Sequence, residues 1–291
     1  MRRFILGLAT FTVAAAAAFS APIPSNTYAE HLVQDVGRAN PEVAAVALHV
    51  TPPKAADYVI VAASDSTRIG SKSDGAALEV IKDGKPAASI NKAGDRLEVR
   101  LPLQDVSGST IGALSVSYVY GAGADRAALE RSATRIRDML HRRISHVANL
   151  LEPYPYDPNT RSDTYAQKLV EETMAQHPEL EIFALHATPP GGRDNIIIGS
   201  NIGRIGKKAD EDDLRAVNTG KANLEVNDAG NRFEVEMQLR DRSGKVIGAV
   251  STVFAYKDGN DKAVLHARGE KINAELQSKI PDAASLFKLA D

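Results

Sequence analysis

The sequence predicts an α+β protein of two tandem units, each an antiparallel sheet of about five strands flanked by an N-terminal and a C-terminal helix. One observation is an internal repeat: ALHVTPP at 47–53 returns as ALHATPP at 184–190, and later matches keep almost the same offset. Another is the alternation of charged and apolar residues at 96–101 and 232–237. Such alternation is typical of antiparallel strands with one face in water. The repeat is far longer than the period of about 20–50 residues found in solenoids, so each copy is expected to be a domain.

The repeat and the ends of the chain predict four segments. Residues 1–20 have the features of a secretory signal peptide: two arginines, an Ala-rich apolar run and a small-residue cleavage site near Ser20. An uncleaved N-terminal anchor is the alternative. We predict a first domain at 21–150, a Pro-rich linker at 151–161 and a second domain at 162–291. The three prolines of the linker indicate a stiff spacer.

Each copy begins with a helix, two strands and a second helix. In the first copy, apolar residues recur at helical spacing until Asn40-Pro41, where the residue before proline disfavours helical backbone. Two β-branched runs predict strands, and Gly84 is expected to end a short helix. These elements are predicted at 28–36, 43–50, 58–63 and 74–81, with counterparts in the second copy.

A hairpin and a long helix complete each copy. The alternating strand at 96–101 leads into the turn Asp105-Val106-Ser107-Gly108, whose residue types are typical of tight turns. A final strand is predicted at 111–120. An amphipathic helix from Ala124 to Leu151 follows, and its apolar stripe is expected to cover its own sheet.

The composition excludes several kinds of site. The 291 residues include no cysteine, which rules out disulfides, thiolate catalysis and Cys-ligated metals. A formal net charge of −2, without a basic stripe and interleaved aromatic residues, argues against nucleic-acid binding. No nucleophile elbow, phosphate-binding glycine loop or zinc-binding helix occurs in the sequence, so we predict neither an enzyme nor a cofactor.

Three phrases carry a family resemblance: LPLQDVSGSTIGAL at 101–114, QLRDRSGKVIGAV at 238–250 and SNIGRIGKKAD at 200–210. They resemble the Cache family (PAS-like, PDC) of extracytoplasmic sensor domains, and the resemblance covers most of both copies. It implies a five-stranded antiparallel sheet with a small-ligand pocket against one face, and a membrane receptor, kinase or transporter as partner. The chain departs from the amino-acid-binding members, because it has no Trp and carries Ser117 and Val253 where those members have an Asp.

Three positions that recur in both copies are candidate ligand-binding positions. Arg68 and Arg204 could each bind a carboxylate or phosphate through two hydrogen bonds, or could hold loop carbonyls instead. The serines end the second strand, and the histidines near the end of the first strand could bind a ligand or simply bond to a neighbouring loop. No His-x-x-x-His or carboxylate cluster accompanies the histidines, so we predict no metal site. The candidates are Arg68, Arg204, Ser64, Ser200, His49 and His186.

We therefore expect an exported, soluble, sensor-type protein, periplasmic or secreted, that reports to a membrane partner. Its ligand is expected to be a small polar or anionic molecule held in one or both units. The alternative is a protein–protein interaction or dimerisation module whose pockets are filled by side chains, with the helix at 124–151 as its surface. A third hypothesis is a hydrolase with an unrecognised site.

Overall fold

The structure is a computed structural model that describes residues 22–290. The predicted signal peptide at 1–20 lies outside these residues, so its cleavage near Ser20 stays a prediction. Within 22–290, no helix is long and apolar enough to cross a membrane.

The two units repeat one order of elements. In the first unit these are α1 (Tyr28–Ala39), β1 (Val43–Val50), β2 (Val59–Ala63), α2 (Gly75–Asp83), β3 (Ala87–Ile90), β4 (Arg96–Gln104), β5 (Thr110–Val119), α3 (Arg126–His141) and α4 (Val147–Leu150). In the second they are α5 (Tyr165–Gln176), β6 (Leu180–Ala187), β7 (Ile196–Ser200), α6 (Glu211–Thr219), β8 (Asn223–Val226), β9 (Arg232–Arg240), β10 (Val246–Ala255) and α7 (Lys262–Lys279).

Each unit builds its own antiparallel sheet. The strand order is β2-β1-β5-β4-β3 in the first unit and β7-β6-β10-β9-β8 in the second, and no strand of the described residues crosses from one sheet into the other. The first and last long strands of each unit are central neighbours, because β1 pairs with β5 and β6 with β10. The predicted fold class, two tandem α+β units with five-stranded antiparallel sheets, is confirmed.

Helices cover both faces of each sheet. In the first unit, α1 and α3 pack on one face, where Leu48, Leu101 and Leu114 are buried. Helix α2 covers part of the opposite face, where Ala77 packs against Ala113. The second unit repeats the arrangement, with α5 and α7 over the apolar core and α6 on the opposite face.

The charged side of the alternating strands is less exposed than the sequence predicts. The alternation predicts that charged residues of β4 and β9 face water, yet Arg100 is 8% exposed and Glu236 is 4% exposed. The prediction is wrong at these two positions because α2 and α6 pack against β4 and β9. The two residues therefore lie in a covered polar layer between sheet and helix.

The predicted helix from Ala124 to Leu151 is two helices with a break between them. Helix α3 ends at His141, and α4 begins at Val147. Between them, the carbonyl oxygen of Ile144 accepts a hydrogen bond from the Val106 amide of the β4–β5 turn. That bond ties the chain to the hairpin instead of continuing the helical ladder.

The Pro-rich linker is bonded to both units. The Tyr154 amide donates to the Asn26 carbonyl of the first unit at 2.9 Å, and the Tyr156 amide donates to the Ile205 carbonyl of the second at 2.7 Å. The Tyr154 ring also stacks on His31, with ring centroids 4.0 Å apart. The segment is a packed connection between the units rather than a free spacer.

Candidate functional site

The candidate site is a cavity of about 410 Å³ between the outer face of the second sheet and α6. Polar side chains line it from β6, β9, α6 and the loop after β7. The three candidate residues of the second unit, His186, Ser200 and Arg204, all line this cavity. Convergent polar groups in a concave pocket orient small ligands, so this cavity is the candidate ligand site of the second unit.

Three side chains meet at the buried end of the cavity. His186 comes from β6, Asp213 from the first turn of α6 and Glu236 from β9. Each is at most 5% exposed, and their ligand-type atoms all lie within 4.8 Å of one another. The sequence did not bring them together, because they lie on three separate elements.

The start of α6 orients Asp213. Asp210 caps the helix by accepting a hydrogen bond from the Asp213 amide, and Asp213 Oδ2 accepts one from the Asp210 amide at 3.0 Å. This reciprocal pair is a capping box. It fixes the Asp213 carboxylate toward the sheet, where its Oδ2 lies 3.2 Å from His186 Nδ1.

The cavity has a surplus of buried acid groups. Burial raises the pKa of Glu236, and the carboxylate of Asp213 beside it raises that pKa further. Burial also raises the pKa of Glu234, again with a contribution from Asp213. Within 22–290, no Lys or Arg lies within ion-pairing distance of these three carboxyl groups. The deep end of the cavity is therefore suited to a group that brings positive charge or hydrogen-bond donors.

The same place in the first unit is satisfied internally. His49 is 1% exposed, and its two ring nitrogens lie 3.1 Å from the hydroxyls of Ser73 and Ser115. Arg100 Nη2 makes 2.9 Å ion pairs with both Asp74 and Glu98. For His49, the interpretation as a bonded structural histidine fits these contacts, and a ligand role has no free nitrogen to use.

The two units carry different side chains at two equivalent positions beside the histidine. The pairings of β4 with β5 and of β9 with β10 place Arg100 and Glu236 at equivalent positions, since each faces a serine, Ser115 or Ser251. In the α2 and α6 helices, Ala77 of the first unit is replaced by Asp213 of the second. The first unit thus has an arginine and an alanine beside its histidine, where the second unit has two carboxyl groups.

Both predicted serines have hydrogen-bond partners within their own unit. The Ser64 hydroxyl accepts a hydrogen bond from the Val46 amide, and the Ser200 hydroxyl accepts one from the Ile202 amide. Arg68 has no ion pair within the described residues. A ligand-binding role for these residues stays a prediction.

Arg204 connects the cavity with the linker between the units. Its Nε and Nη2 donate to the two carboxylate oxygens of Glu152 at 3.0 and 3.1 Å. Burial opposes ionisation of Glu152, but hydrogen bonds from Arg204 and Asn149 outweigh it and lower the pKa of Glu152. Arg204 has a positive φ of 67°, which most residues avoid, so the pair holds a strained backbone in place. The arginine is at once a wall of the cavity and a link between units.

We expect Arg204→Ala to destabilise the protein by about 1–2 kcal/mol, because alanine keeps the backbone strain and removes a partly buried two-point ion pair. The matched control is Arg68→Ala, which alters the corresponding arginine of the first unit. Urea unfolding of both variants checks the difference. Equal midpoints for the two variants would contradict the assigned contact.

The stability of the first unit should fall as the pH is lowered. Burial lowers the pKa of His49 to about 4, against an ordinary value of 6.5. In the unfolded chain His49 is protonated below about pH 6.5, whereas in the folded chain it stays neutral down to about pH 4. The free energy of unfolding therefore falls as the pH is lowered through this range. We expect a loss of about 1–3 kcal/mol between pH 7 and pH 5 from this residue. Urea unfolding of the parent and of His49→Gln over this range measures it, and an unchanged slope in the variant would refute it.

Comparisons with known proteins yield solved structures of low similarity. No protein-family model matches the chain, and no curated protein matches it. A GAF domain of A. aeolicus NLH2 in an inactive state is 13% identical, with 40% of this chain and 85% of that chain covered and a TM-score of 0.32. The PobR inducer-binding domain from Acinetobacter, in complex with 3-hydroxybenzoic acid, is 10% identical, with 40% and 97% covered and a TM-score of 0.29.

Some of the similar structures span both units, and PelD is an example. PelD (158 to the C-terminus) from Pseudomonas aeruginosa PAO1 is 15% identical, with 89% of this chain and 79% of that chain covered and a TM-score of 0.29. Membership of the Cache family stays a prediction. At such identities and scores, the fold assignment rests on the strand order of this protein itself.

Proposed function

We propose that this protein is an exported, sensor-type protein that binds a small polar ligand in its second unit and reports the bound state to a membrane partner. The observation that supports the proposal is the cavity against the second sheet, whose buried end holds carboxyl groups without a Lys or Arg partner among the described residues. Uncompensated buried charge is costly in a folded protein. A ligand that satisfies these groups would be bound in preference to water.

The proposal assigns binding to one unit only. In the first unit, Arg100 already neutralises the acidic residues at the equivalent place, and both nitrogens of His49 have hydroxyl partners. The first unit would then be a fixed body against which the second unit moves. Of the sequence expectations, a polar ligand is kept, and the acidic lining favours a cationic group over an anionic one at the deep end.

The loop after β7 provides a route from the cavity to the first unit. Ile202 and Arg204 line the cavity, and the same loop touches the first unit on its other side. Tyr28 donates a hydrogen bond to the Asn201 carbonyl at 3.2 Å, and Asn149 donates to the Ile202 carbonyl at 3.0 Å. A ligand that favours one loop conformation therefore shifts the population of junction geometries.

The interaction-module alternative has less support. The apolar stripe of α3 is used within its own unit, because Ala133, Ile136 and Leu140 are all buried against the sheet. The helix therefore offers little unsatisfied apolar surface for a second protein. No catalytic step belongs to the proposal.

A ligand screen tests the proposal directly. Thermal shifts would be measured with a library of small polar metabolites in the presence of a metal chelator, alongside native mass spectrometry of the purified protein. We expect at least one compound to stabilise the parent and not the Glu236→Arg variant. Glu225→Gln, which removes an exposed carboxylate at the rim of the same cavity, is the control and should behave as the parent. An equal response of parent and Glu236→Arg, or no response and no retained mass, would refute the proposal.

A further inference from the structure

The deep end of the cavity has the donor set of a metal centre. We propose that His186, Asp213 and Glu236 together bind a divalent first-row transition-metal ion, which would be the inner part of the ligand-binding site. This inference rests on the proposed function of the same cavity and specifies its ligand class. It concerns the second unit alone.

The positions of the donor atoms fit one ion. One imidazole nitrogen and two carboxylate oxygens, all within 4.8 Å of one another, converge from three elements. Two ligand atoms that are each about 2.1 Å from the same ion lie about 3.4 Å apart in a tetrahedral site. The 3.2 Å distance from His186 Nδ1 to Asp213 Oδ2 is close to that spacing. Glu236 supplies the third donor atom, within the same 4.8 Å.

His186 supplies an independent observation. The side chain is 95% buried, since only 5% of it is exposed, and Nδ1 has no hydrogen-bond partner in the part of the chain that the structure describes. Its approach to Asp213 Oδ2 lacks hydrogen-bonding geometry although the distance is short. A buried polar atom without a partner costs about 1–3 kcal/mol. Coordination of a cation by Nδ1 would remove that cost.

The surrounding contacts leave the two carboxyl groups available. Ser251 donates one hydrogen bond to Glu236 Oε1 at 3.0 Å, and the α6 capping box holds Asp213. These hydrogen bonds orient the two carboxyl groups, as outer-shell contacts do in metal centres. A divalent cation would bind both groups as carboxylates, with release of any proton that they hold.

In the first unit, an arginine side chain supplies the positive charge at the equivalent place. At the position of Glu236 it has Arg100, whose guanidinium binds Asp74 and Glu98, and at the position of Asp213 it has Ala77. The second unit keeps the two outer acids, as Asp210 and Glu234, but lacks the arginine. A protein-supplied cation in one copy thus corresponds to a site for an external cation in the other.

The donor types select the class of ion. Imidazole nitrogen suits Zn²⁺, Cu²⁺, Fe²⁺ and Ni²⁺, whereas Mg²⁺ and Ca²⁺ prefer sites built entirely from oxygen. Three protein ligands also leave at least one coordination position for water or a small molecule. Because the cavity extends away from the triad, that open position would face the space where a second ligand group could bind.

Metal titration of the chelator-treated protein tests the inference. Calorimetry with Zn²⁺, and absorption spectroscopy with Co²⁺ as a coloured probe, would be run on the chain without its predicted signal peptide. We expect one equivalent bound, d–d bands typical of four- or five-coordinate cobalt, and no comparable binding of Mg²⁺ or Ca²⁺. Glu236→Gln and Asp213→Asn should each weaken Zn²⁺ binding at least about tenfold.

Two further variants keep the test decisive. Glu236→Arg introduces the arginine that the first unit has at this position, and Asp210 and Glu234 can form ion pairs with it. The variant should fold but bind no Zn²⁺. Glu225→Gln should bind Zn²⁺ as the parent does. Binding of less than one equivalent, or equal affinity in the parent and Glu236→Arg, would overturn the metal site.

The outcome separates this inference from the proposed function. If the metabolite screen with chelator gives a Glu236-dependent ligand but Zn²⁺ and Co²⁺ do not bind, the cavity binds a small molecule, such as an organic ammonium, and the metal site is wrong. If both Zn²⁺ and the metabolites fail, the proposed function fails as well. If Zn²⁺ binds with the expected variant pattern, the metal site is established, and the metabolite screen is then judged on the Zn²⁺-loaded protein, because chelation removes the inner part of the site.

Discussion

Replacing Gly248 with alanine is expected to prevent the second unit from folding, or to destabilise it by about 3 kcal/mol or more. A Cβ atom at Gly248 would overlap the carbonyl oxygen of His186 on the neighbouring strand. The backbones of the paired central strands β10 and β6 fix the positions of the added Cβ and of the carbonyl oxygen, so no side chain can rotate out of the way. Gly112 makes the same close approach to His49 in the first unit.

The measurement is equilibrium unfolding in urea, followed by far-UV circular dichroism. Gly37→Ala is the control, because this helical glycine has no atom within 4 Å of an added Cβ and alanine favours the helix. We expect Gly37→Ala to be neutral or stabilising. A Gly248→Ala protein that unfolds at the midpoint of the control would show that the strand contact is wrong.

The second large effect is expected at the junction of the units. Gly203 has a φ of 75°, and an added Cβ would lie 2.7 Å from the ring of Tyr28, which is 1% exposed. Gly203→Ala would therefore strain the loop backbone and push against the core of the first unit. We expect a loss of about 2–4 kcal/mol, of which about 1–2 kcal/mol is the cost of the left-handed backbone.

Gly70→Ala separates the two contributions. This glycine, in the corresponding loop of the first unit, has a φ of 85°, but nothing lies within 4 Å of an added Cβ. It should show the backbone cost alone. The difference between the two variants in urea unfolding then measures the contact with Tyr28. A Gly203→Ala effect no larger than that of Gly70→Ala would mean that the units do not pack as described.

The fold was predictable because its signals are local and occur twice. Helical spacing around Tyr28, proline after Asn40 and the alternation at 96–101 each recur in the second copy, so chance patterns are filtered out. The break between α3 and α4 was not predictable, because the hydrogen bond from Val106 to the Ile144 carbonyl joins distant parts of the chain. Apolar periodicity alone continues through the break.

The site was only partly predictable. His186 was found because it recurs, and recurrence also favoured Arg204, although the structure pairs that arginine with Glu152. Asp213 and Glu236 are not predicted by recurrence, because they lie at positions where the two copies differ. The informative signal was a disagreement: alanine and arginine in one copy stand where the other has two acids.

The structure gives another role to the phrase Ile-Gly, which occurs at 111–112 and at 247–248. In the sequence it marks a hairpin and a family resemblance. In the structure, Gly112 and Gly248 are the points where the last strand of each unit passes closest to the strand that carries the histidine. The phrase therefore records a packing requirement beside the site rather than a contact with a ligand.

The guanidinium of Arg100 makes the first unit a permanently occupied counterpart of the second. Because Arg100 is part of the chain, the contacts of α2 with its sheet do not depend on a bound ligand. If the second unit binds a cation, its stability should depend on the concentration of that cation, whereas the stability of the first unit should not.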